Sequence, residues 1–167
     1  MSQFHDAIRR IKPEYLLLDF DGVLTTNSVL VNSDGEEFVV CSRSDGIGLS
    51  RIKKLGIKPI VVSTESNLVV SKRCEKLKIA CYQSIEDKLL FANELAAQSL
   101  INLEKSLFIG NDINDIFLLK AVALPVVVND CWPDLFECEP IYKTNLGGGY
   151  GAVREVCDIL YEVLSNP

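Results

Sequence analysis

The 167-residue chain has no apolar run as long as a membrane span, no closely spaced cysteine pair and one histidine. Its longest apolar runs, residues 57–62 and 124–128, have the length of strands, whereas a membrane helix needs about 20 residues. Residues 1–10 lack the apolar stretch of a secretory signal, so we expect a cytoplasmic protein with no membrane partner. His5 and six cysteines without a C-x-x-C pair give no support to a zinc site and favour free, mostly buried thiols.

The charge pattern also excludes a class of partner. The net charge is −6, and the sequence has no basic stripe with which to neutralise phosphates, so a nucleic-acid partner is disfavoured. Hydrophobic residues make up 48% of the chain and charged residues 24%, which is typical of a globular core. With no repeat or linker, residues 1–167 are predicted to form a single domain.

Short apolar runs alternate with amphipathic stretches along the chain. The predicted strands are residues 15–20, 57–63, 80–83, 107–109 and 124–128, and the predicted helices are residues 46–55, 67–77, 86–98, 113–122 and 151–164. Continuous apolar runs of this kind suit parallel strands that are buried on both faces. The sequence therefore predicts an α/β fold with a doubly wound, Rossmann-like parallel sheet, which binds ligands beyond the carboxyl ends of its strands.

The segment of residues 25–41 departs from this alternation. Two alternating runs, residues 28–31 and 37–41, flank Asn32-Ser33-Asp34-Gly35, which is typical turn chemistry for a hairpin. We predict a β-hairpin that projects from the sheet. Because an isolated two-stranded ribbon is marginally stable, we expect it to pack against another subunit. The alternative is a loop that folds back onto its own domain.

Two carboxylates, Asp19 and Asp21, follow the first predicted strand. Strand periodicity places both on the same side, where their mutual repulsion is relieved by a cation. Mg²⁺ is the natural cation for an all-oxygen cluster. Taken alone, the D-x-D pattern fits equally well an acidic turn that caps the following segment.

Further polar groups follow other strands. Ser63 ends the second strong strand, Lys88 opens a helix, and residues 110–115 (GNDIND) follow the fourth strand. Each of these is individually common as a helix cap or a solvated side chain. In this order and at one edge of a sheet, they supply a nucleophile, metal ligands and phosphoryl-oxygen donors, which is equipment for phosphoryl transfer.

These motifs resemble those of the haloacid dehalogenase (HAD) superfamily phosphatases, and the resemblance extends over essentially the whole chain. It rests on DFDGVLT (residues 19–25), Ser63, Lys88, GNDIND (residues 110–115), DGEE (34–37), SRSDG (42–46) and GGGYGAVRE (147–155). The last three are similar to the small capless group that includes 3-deoxy-D-manno-octulosonate 8-phosphate (KDO 8-phosphate) phosphatases. That group also contains nonulosonate 9-phosphate phosphatases and the phosphatase-like domain of acylneuraminate cytidylyltransferases.

The resemblance implies catalytic roles for four residues. Asp19 would attack phosphorus and form an aspartyl-phosphate. Asp21 would act as general acid and then as general base, while its carbonyl helps to hold Mg²⁺. Ser63 and Lys88 would bind the phosphate, and Lys88 would also offset the negative charge of the site.

The fourth motif departs from the commoner family pattern, which has Asp directly after the glycine. That position is Asn111 here, and its amide oxygen can ligate Mg²⁺ but supplies no charge. The predicted ligands are Asp19, Asp21 and Asn111, with Asp112 as the next candidate. Asp115 is predicted to support them from behind.

The second motif also departs from KDO 8-phosphate phosphatases, which commonly read Thr-Gly-Arg. This chain reads Ser63-Thr64-Glu65, closer to the cytidylyltransferase-associated domain, and Glu65 would accept hydrogen bonds from sugar hydroxyls rather than hold a carboxylate. Arg73 matches a family position that contacts substrate, although it is almost as readily interpreted as a solvated helix charge. The predicted substrate-binding residues are Ser42, Arg43, Asp45, Gly46, Thr64, Glu65 and Arg73.

No cap domain fits between the motifs. The resemblance implies homotetramers in which the hairpins assemble into a shared barrel and neighbouring subunits cover each site. The glycines of residues 147–151 would supply flexible backbone near the mouth of the site, and Arg154 is predicted to face either substrate or an acid.

The sequence leaves three functions open. The first is an Mg²⁺-dependent phosphatase for a phosphorylated sugar acid, KDO 8-phosphate or a nonulosonate 9-phosphate, whose product could enter lipopolysaccharide, capsule or sialylation. The second is a weakly active scaffold that tetramerises a cytidylyltransferase system, which Asn111 keeps open. The third, a receiver-like signalling module, is disfavoured by Asp21 and by the acids after the fourth strand.

Overall fold

The computed structural model describes residues 3–165 as a parallel sheet with helices on both faces. The strands are β1 (Tyr15–Leu18), β2 (Thr25–Val31), β3 (Glu37–Cys41), β4 (Lys58–Val62), β5 (Ala80–Tyr82), β6 (Ser106–Gly110), β7 (Leu124–Val127) and β8 (Tyr142–Lys143). The helices are α1 (Gln3–Ile11), α2 (Arg43–Lys53), α3 (Leu68–Leu77), α4 (Lys88–Ala97), α5 (Ile116–Ala121) and α6 (Ala152–Ser165). Short 3₁₀ turns cover Leu103–Lys105, Ile113–Asp115 and Pro133–Cys138.

The main sheet has the strand order β5-β4-β1-β6-β7-β8, with every neighbouring pair parallel. β1 lies between β4 and β6, so the chain winds outward from β1 first to one side and then to the other. In such a sheet the crevice at the reversal point, outside the carboxyl ends of the strands, is the ligand site. The predicted α/β class, the doubly wound parallel sheet and the lack of a cap are confirmed.

The central strand β1 divides the core into two layers. Leu16 and Leu18 pack on the face that α2 and α6 cover, whereas Leu17 packs on the opposite face with α4 and α5. Because side chains alternate along a strand, a strand covered on both faces is apolar throughout. This explains the unbroken run YLLL.

Two elements were not predicted from the sequence. α1 packs Phe4 against Tyr142 of β8 in a stacked pair with ring centroids 4.6 Å apart. β8 has two residues, too few for a recognisable pattern, and it exists through its pairing with β7. The helix predicted to begin at residue 46 instead begins at Arg43, because Ser42 caps it by accepting the N–H of Ser44.

The predicted hairpin is confirmed, as β2 and β3 form a separate antiparallel sheet. Asn32 builds its turn by accepting the N–H groups of Asp34 and Glu36, and Gly35 takes a φ of 80°. Large apolar side chains are exposed along the ribbon: Val29, Leu30, Val31, Phe38 and Val40.

All six cysteines are free. Three of them are buried (Cys74, Cys138 and Cys157) and three are half-buried (Cys41, Cys81 and Cys131), which agrees with the prediction of free thiols. Across residues 3–165, no helix combines the length and apolar character needed to cross a membrane.

Candidate active site

Asp19 lies directly after β1 and is almost completely buried, with 4% of its surface exposed. Its backbone N–H continues the β1–β6 ladder to the Ile109 carbonyl at 3.1 Å, and its Oδ1 accepts the N–H of Phe20 at 2.7 Å. The side chain is therefore fixed by the end of the central strand. Burial, with a further contribution from Asp115, raises the pKa of Asp19 to about 7, although Lys88 acts in the opposite direction.

Lys88 is the cation of this cluster. Asp87 caps the start of α4, which places Lys88 at the first helical position and only 2% exposed. Its Nζ lies 2.7 Å from Asp19 Oδ1 and 2.7 Å from Asp115 Oδ1. Burial lowers the pKa of Lys88, but the two carboxylates raise it more, so the net shift is upward. The ammonium therefore stays protonated between two buried acids.

Asp115 joins Lys88 to the fourth motif. Its Oδ2 accepts the N–H of Asn111 at 2.8 Å and that of Asp112 at 3.3 Å, while its Oδ1 contacts Lys88. The side chain packs so closely on Gly110 that a Cβ there would lie 2.7 Å from it. Asp115 thus fixes the loop after β6, and its support of metal ligands stays a prediction.

Asn111 brings its amide to Asp19 and Asp21. One terminal amide atom lies 3.1 Å from Asp19 Oδ2 and 2.9 Å from the backbone oxygen of Asp21. As nitrogen, it donates a hydrogen bond to both. As oxygen, it lies from each of these two oxygens at close to the spacing of adjacent ligands around Mg²⁺, about 2.9 Å for bonds of 2.0–2.1 Å.

The residues present therefore fit a small oxygen-ligated cation. Gly22 permits the arrangement, because any Cβ there would lie 2.0 Å from the Asn111 amide nitrogen. The described residues contain no group of three His, Cys, Asp or Glu side chains placed for a metal. The set assembled here instead combines a carboxylate, an amide and a backbone carbonyl. Asp112 uses its Oδ1 to cap the following 3₁₀ turn by accepting the N–H of Ile113.

Asp21 is half-buried and held by Thr25. The Thr25 hydroxyl donates to Asp21 Oδ1 at 3.3 Å and accepts the N–H of Gly22 at 3.2 Å. Burial raises the pKa of Asp21, the nearby Glu65 raises it further, and the Thr25 hydrogen bond lowers it. A raised pKa suits a carboxyl group that must carry a proton to a leaving group.

Ser63 follows β4 and is buried. Its hydroxyl oxygen accepts the N–H of Glu65 at 3.1 Å, which turns the chain at this strand end. Thr64 is exposed. Glu65 accepts the N–H groups of the next two residues through Oε1. Thus Ser63 and Glu65 lie at the edge where β1, β4 and β6 end.

A cavity of about 250 Å³ opens beside Asp21. Its lining comes from the first two motifs, from α3 and from the hairpin: Asp21, Thr26, Asn27, Ser28, Val29, Glu37, Val39, Glu65 and Val69. The hairpin's contribution to this cavity was not predicted from the sequence, because the ribbon was expected to form subunit contacts and its first strand was predicted to begin at residue 28. The polar residues 25–28, which lie next to the first motif, were the sequence feature that could have predicted this contribution.

The predicted cationic residues lie elsewhere. Arg43, Gly46 and Arg73 line a separate groove of about 790 Å³ between α2 and α3. Arg73 donates from Nη2 to the Ser42 carbonyl at 2.9 Å. The structure therefore gathers these residues on one groove, outside the lining of the cavity beside Asp21.

Asp45 is buried rather than facing the cavity. Its Oδ1 accepts the N–H of Arg154 at 2.9 Å, which links α2 to α6. Arg154 points its Nε at Asp158 at 2.6 Å, so of the two predicted alternatives it faces an acid. The substrate-binding roles of Ser42, Asp45 and their neighbours stay predictions.

The comparisons with known proteins agree with this geometry. The chain is 34% identical over 146 residues to the KDO 8-phosphate phosphatase KdsC of Salmonella typhi, covering 87% of this chain and 77% of the relative. The chain belongs to the KdsC family of HAD phosphatases. It is a phosphoric monoester hydrolase. No family model matches the chain.

Solved structures of KdsC proteins have the same fold. A KDO 8-phosphate phosphatase from Yersinia pestis superposes with a TM-score of 0.89 at 28% identity, covering 98% of this chain and 89% of the other. One from Moraxella catarrhalis, in complex with magnesium ion, phosphate ion and KDO, gives 0.91 at 27% identity, covering 99% and 94%. These similarities to KdsC proteins point to a divalent metal cofactor.

Proposed function

We propose that this protein hydrolyses the phosphomonoester of an acidic 2-keto sugar, with KDO 8-phosphate as the first substrate to test and nonulosonate 9-phosphates as the second. The observation that carries the proposal is the buried Lys88 ammonium, 2.7 Å from both Asp19 and Asp115, beside an amide that reaches Asp19 and the Asp21 carbonyl. This arrangement places a cationic group where a phosphate would meet a carboxylate nucleophile. The KdsC relatives are named for the KDO substrate.

The chemistry proceeds in two displacements on Asp19. Asp19 Oδ1, which is held by Lys88 and by the Phe20 N–H, attacks phosphorus as the bond to the sugar oxygen breaks. Asp21 gives its proton to the departing sugar oxygen. A water then attacks the aspartyl-phosphate, Asp21 takes the water's proton, and the bond between phosphorus and Asp19 breaks to release phosphate.

We assign Mg²⁺ to the oxygens of Asp19 (Oδ2), Asp21 (backbone) and Asn111 (side chain), which approach one another as described above. When bound, the ion supplies positive charge to the phosphoryl oxygens. Asp112 caps a turn next to this set, so we place it outside the ligands. Ser63 and Lys88 donate to the phosphate.

We assign the sugar to the cavity beside Asp21, where Glu65 and Glu37 offer acceptors for hydroxyl groups. Two carboxylates there disfavour the substrate's own carboxylate. Arg43 and Arg73 stay candidate ligands for that anion.

We further propose a homotetramer built through the hairpin. The ribbon exposes five large apolar side chains, with Leu30 71% and Val40 64% exposed. Clustered exposure of this kind is typical of an interface. Sedimentation velocity should give a tetramer, and Leu30→Glu combined with Val40→Glu should give smaller species. A monomeric wild type would refute the assembly.

The first functional experiment measures phosphate release from KDO 8-phosphate and from the 9-phosphates of KDN and N-acetylneuraminate, with Mg²⁺ or with EDTA. Asp19→Asn is the inactive variant and Asp134→Asn, an exposed acid, is the matched control. We expect Mg²⁺-dependent release that is lost in Asp19→Asn and kept in the control. No release from any substrate by a folded tetramer would favour the scaffold, for which the uncharged Asn111 is the supporting feature.

A further inference from the structure

The glycine-rich segment before α6 packs directly on the turn that carries Asp21. Gly149 donates its N–H to the Val23 carbonyl at 3.1 Å. A Cβ on Gly148 would lie 1.8 Å from the backbone oxygen of Gly22, and one on Gly149 would lie 2.2 Å from the Thr26 N. Two backbones therefore meet here with no room for a side chain between them, so the position of one fixes the position of the other.

The segment is itself anchored to the main sheet. Asp130, which follows β7, accepts the N–H of Gly148 through Oδ1 at 2.9 Å. Gly147 lies so close to this carboxylate that a Cβ would come within 2.8 Å of it. On the other side, Glu155 in the first turn of α6 accepts the N–H groups of Asn145 and Leu146. The segment is thus anchored to the sheet through Asp130 and to α6 through Glu155.

The turn transmits this position to a reacting group. Gly22 follows Asp21 directly, and the Thr25 hydroxyl connects the Gly22 N–H with Asp21 Oδ1. A shift of the Gly22 carbonyl therefore displaces the Asp21 carboxylate relative to Asp19, which β1 and Lys88 hold independently.

We propose that Gly148 and Asp130 are positioning residues for proton donation by Asp21. They hold the turn of residues 21–26 in the place from which the Asp21 carboxyl group reaches the leaving oxygen of the substrate. This inference rests on the proposed phosphatase function. Neither residue touches the reacting atoms.

The test compares two leaving groups. An aryl phosphate such as p-nitrophenyl phosphate departs as a stabilised phenolate and needs little protonation, whereas a sugar phosphate departs as an alkoxide and needs a general acid. kcat/KM includes only the steps up to the release of the alcohol, so it excludes the later hydrolysis of the aspartyl-phosphate. The ratio of the two kcat/KM values therefore reports on proton donation rather than on general damage.

The variants are Gly148→Ala and Asp130→Ala, with Asp130→Asn as the conservative replacement that keeps an oxygen acceptor. Asp134→Ala is the matched control for Asp130, because Asp134 is exposed, and Gly56→Ala controls for backbone strain alone, because Gly56 has a φ of 84° and a Cβ there meets nothing within 4 Å. We expect Gly148→Ala to lower kcat/KM for KDO 8-phosphate by about 10- to 100-fold, since general-acid catalysis contributes about 10²- to 10⁴-fold. For p-nitrophenyl phosphate we expect a loss below about threefold.

Asp130→Ala should shift the ratio in the same direction and Asp130→Asn should restore it, while the controls keep the wild-type ratio. Equal losses on both substrates in Gly148→Ala and Asp130→Ala would overturn the inference. A change confined to the Mg²⁺ concentration for half-maximal activity would also overturn the inference. The glycine-rich segment would then position the backbone carbonyl of Asp21 and not its carboxyl group. A wild type that hydrolyses neither substrate overturns the proposed function itself.

Discussion

Asp45 should make the stability of this protein fall as the pH rises. The side chain is completely buried, its Oδ1 accepts the N–H of Arg154, and its Oδ2 has no hydrogen-bond partner. Burial raises the pKa of Asp45 from 3.8 to about 6, although the Arg154 N–H and the charges of Arg73 and Arg154 act to lower it. The folded protein therefore binds the Asp45 proton more tightly than the unfolded chain does.

The sign and size of the pH effect on stability follow from this difference in proton affinity between the folded and unfolded states. Below a pH of 3.8, Asp45 is protonated in both states, and its contribution to the unfolding free energy is fully present. Between pH 3.8 and about 6 the unfolded chain loses the proton first, so stability declines until the folded carboxyl also ionises. A difference of about two pKa units corresponds to a loss of about 3 kcal/mol.

Urea unfolding of wild type and Asp45→Asn at a fixed protein concentration, from about pH 4 to about pH 8, measures this loss. Asn keeps the oxygen that accepts the Arg154 N–H but cannot ionise. The unfolding free energy of the variant, relative to wild type, should rise by about 2–3 kcal/mol across this range. Asp134→Asn, at an exposed position, should show no such trend. A difference between Asp45→Asn and wild type that is constant with pH, or that falls, would refute the reasoning.

Two further predictions concern the site itself. Lys88→Met removes the ammonium that lies between Asp19 and Asp115. We expect the unfolding free energy, measured in urea, to drop by about 3–5 kcal/mol and phosphate release to be lost. An active variant of wild-type stability would contradict this role. Asn111→Asp adds a charged oxygen beside Asp19 Oδ2. The Mg²⁺ concentration for half-maximal phosphate release should therefore fall by at least about tenfold. If this concentration is unchanged, the ion binds elsewhere.

Local sequence patterns were sufficient to predict the alternating strands and helices of the main sheet. The apolar run of β1 is buried on both faces, and its acids follow at the strand end, as the sequence predicts. Helix α1 was overlooked although Phe4, Ala7 and Ile8 have helical spacing, because residues 1–10 were considered only for targeting signals. β8 had no signal of its own, since its two residues become a strand only when β7 lies beside them.

The order of chemical groups along the chain was determined by the sequence alone. Parallel strands bring their carboxyl ends to one edge, so Asp19, Ser63, Lys88 and residues 110–115 had to gather there once the strands were recognised. Distances and environments between remote segments were decided by the tertiary structure. The unpartnered oxygen of Asp45, the cavity formed by the hairpin and the contact of Gly148 with Gly22 join segments far apart in the chain. Local propensity carries no information about such contacts, because they arise only when the whole chain packs.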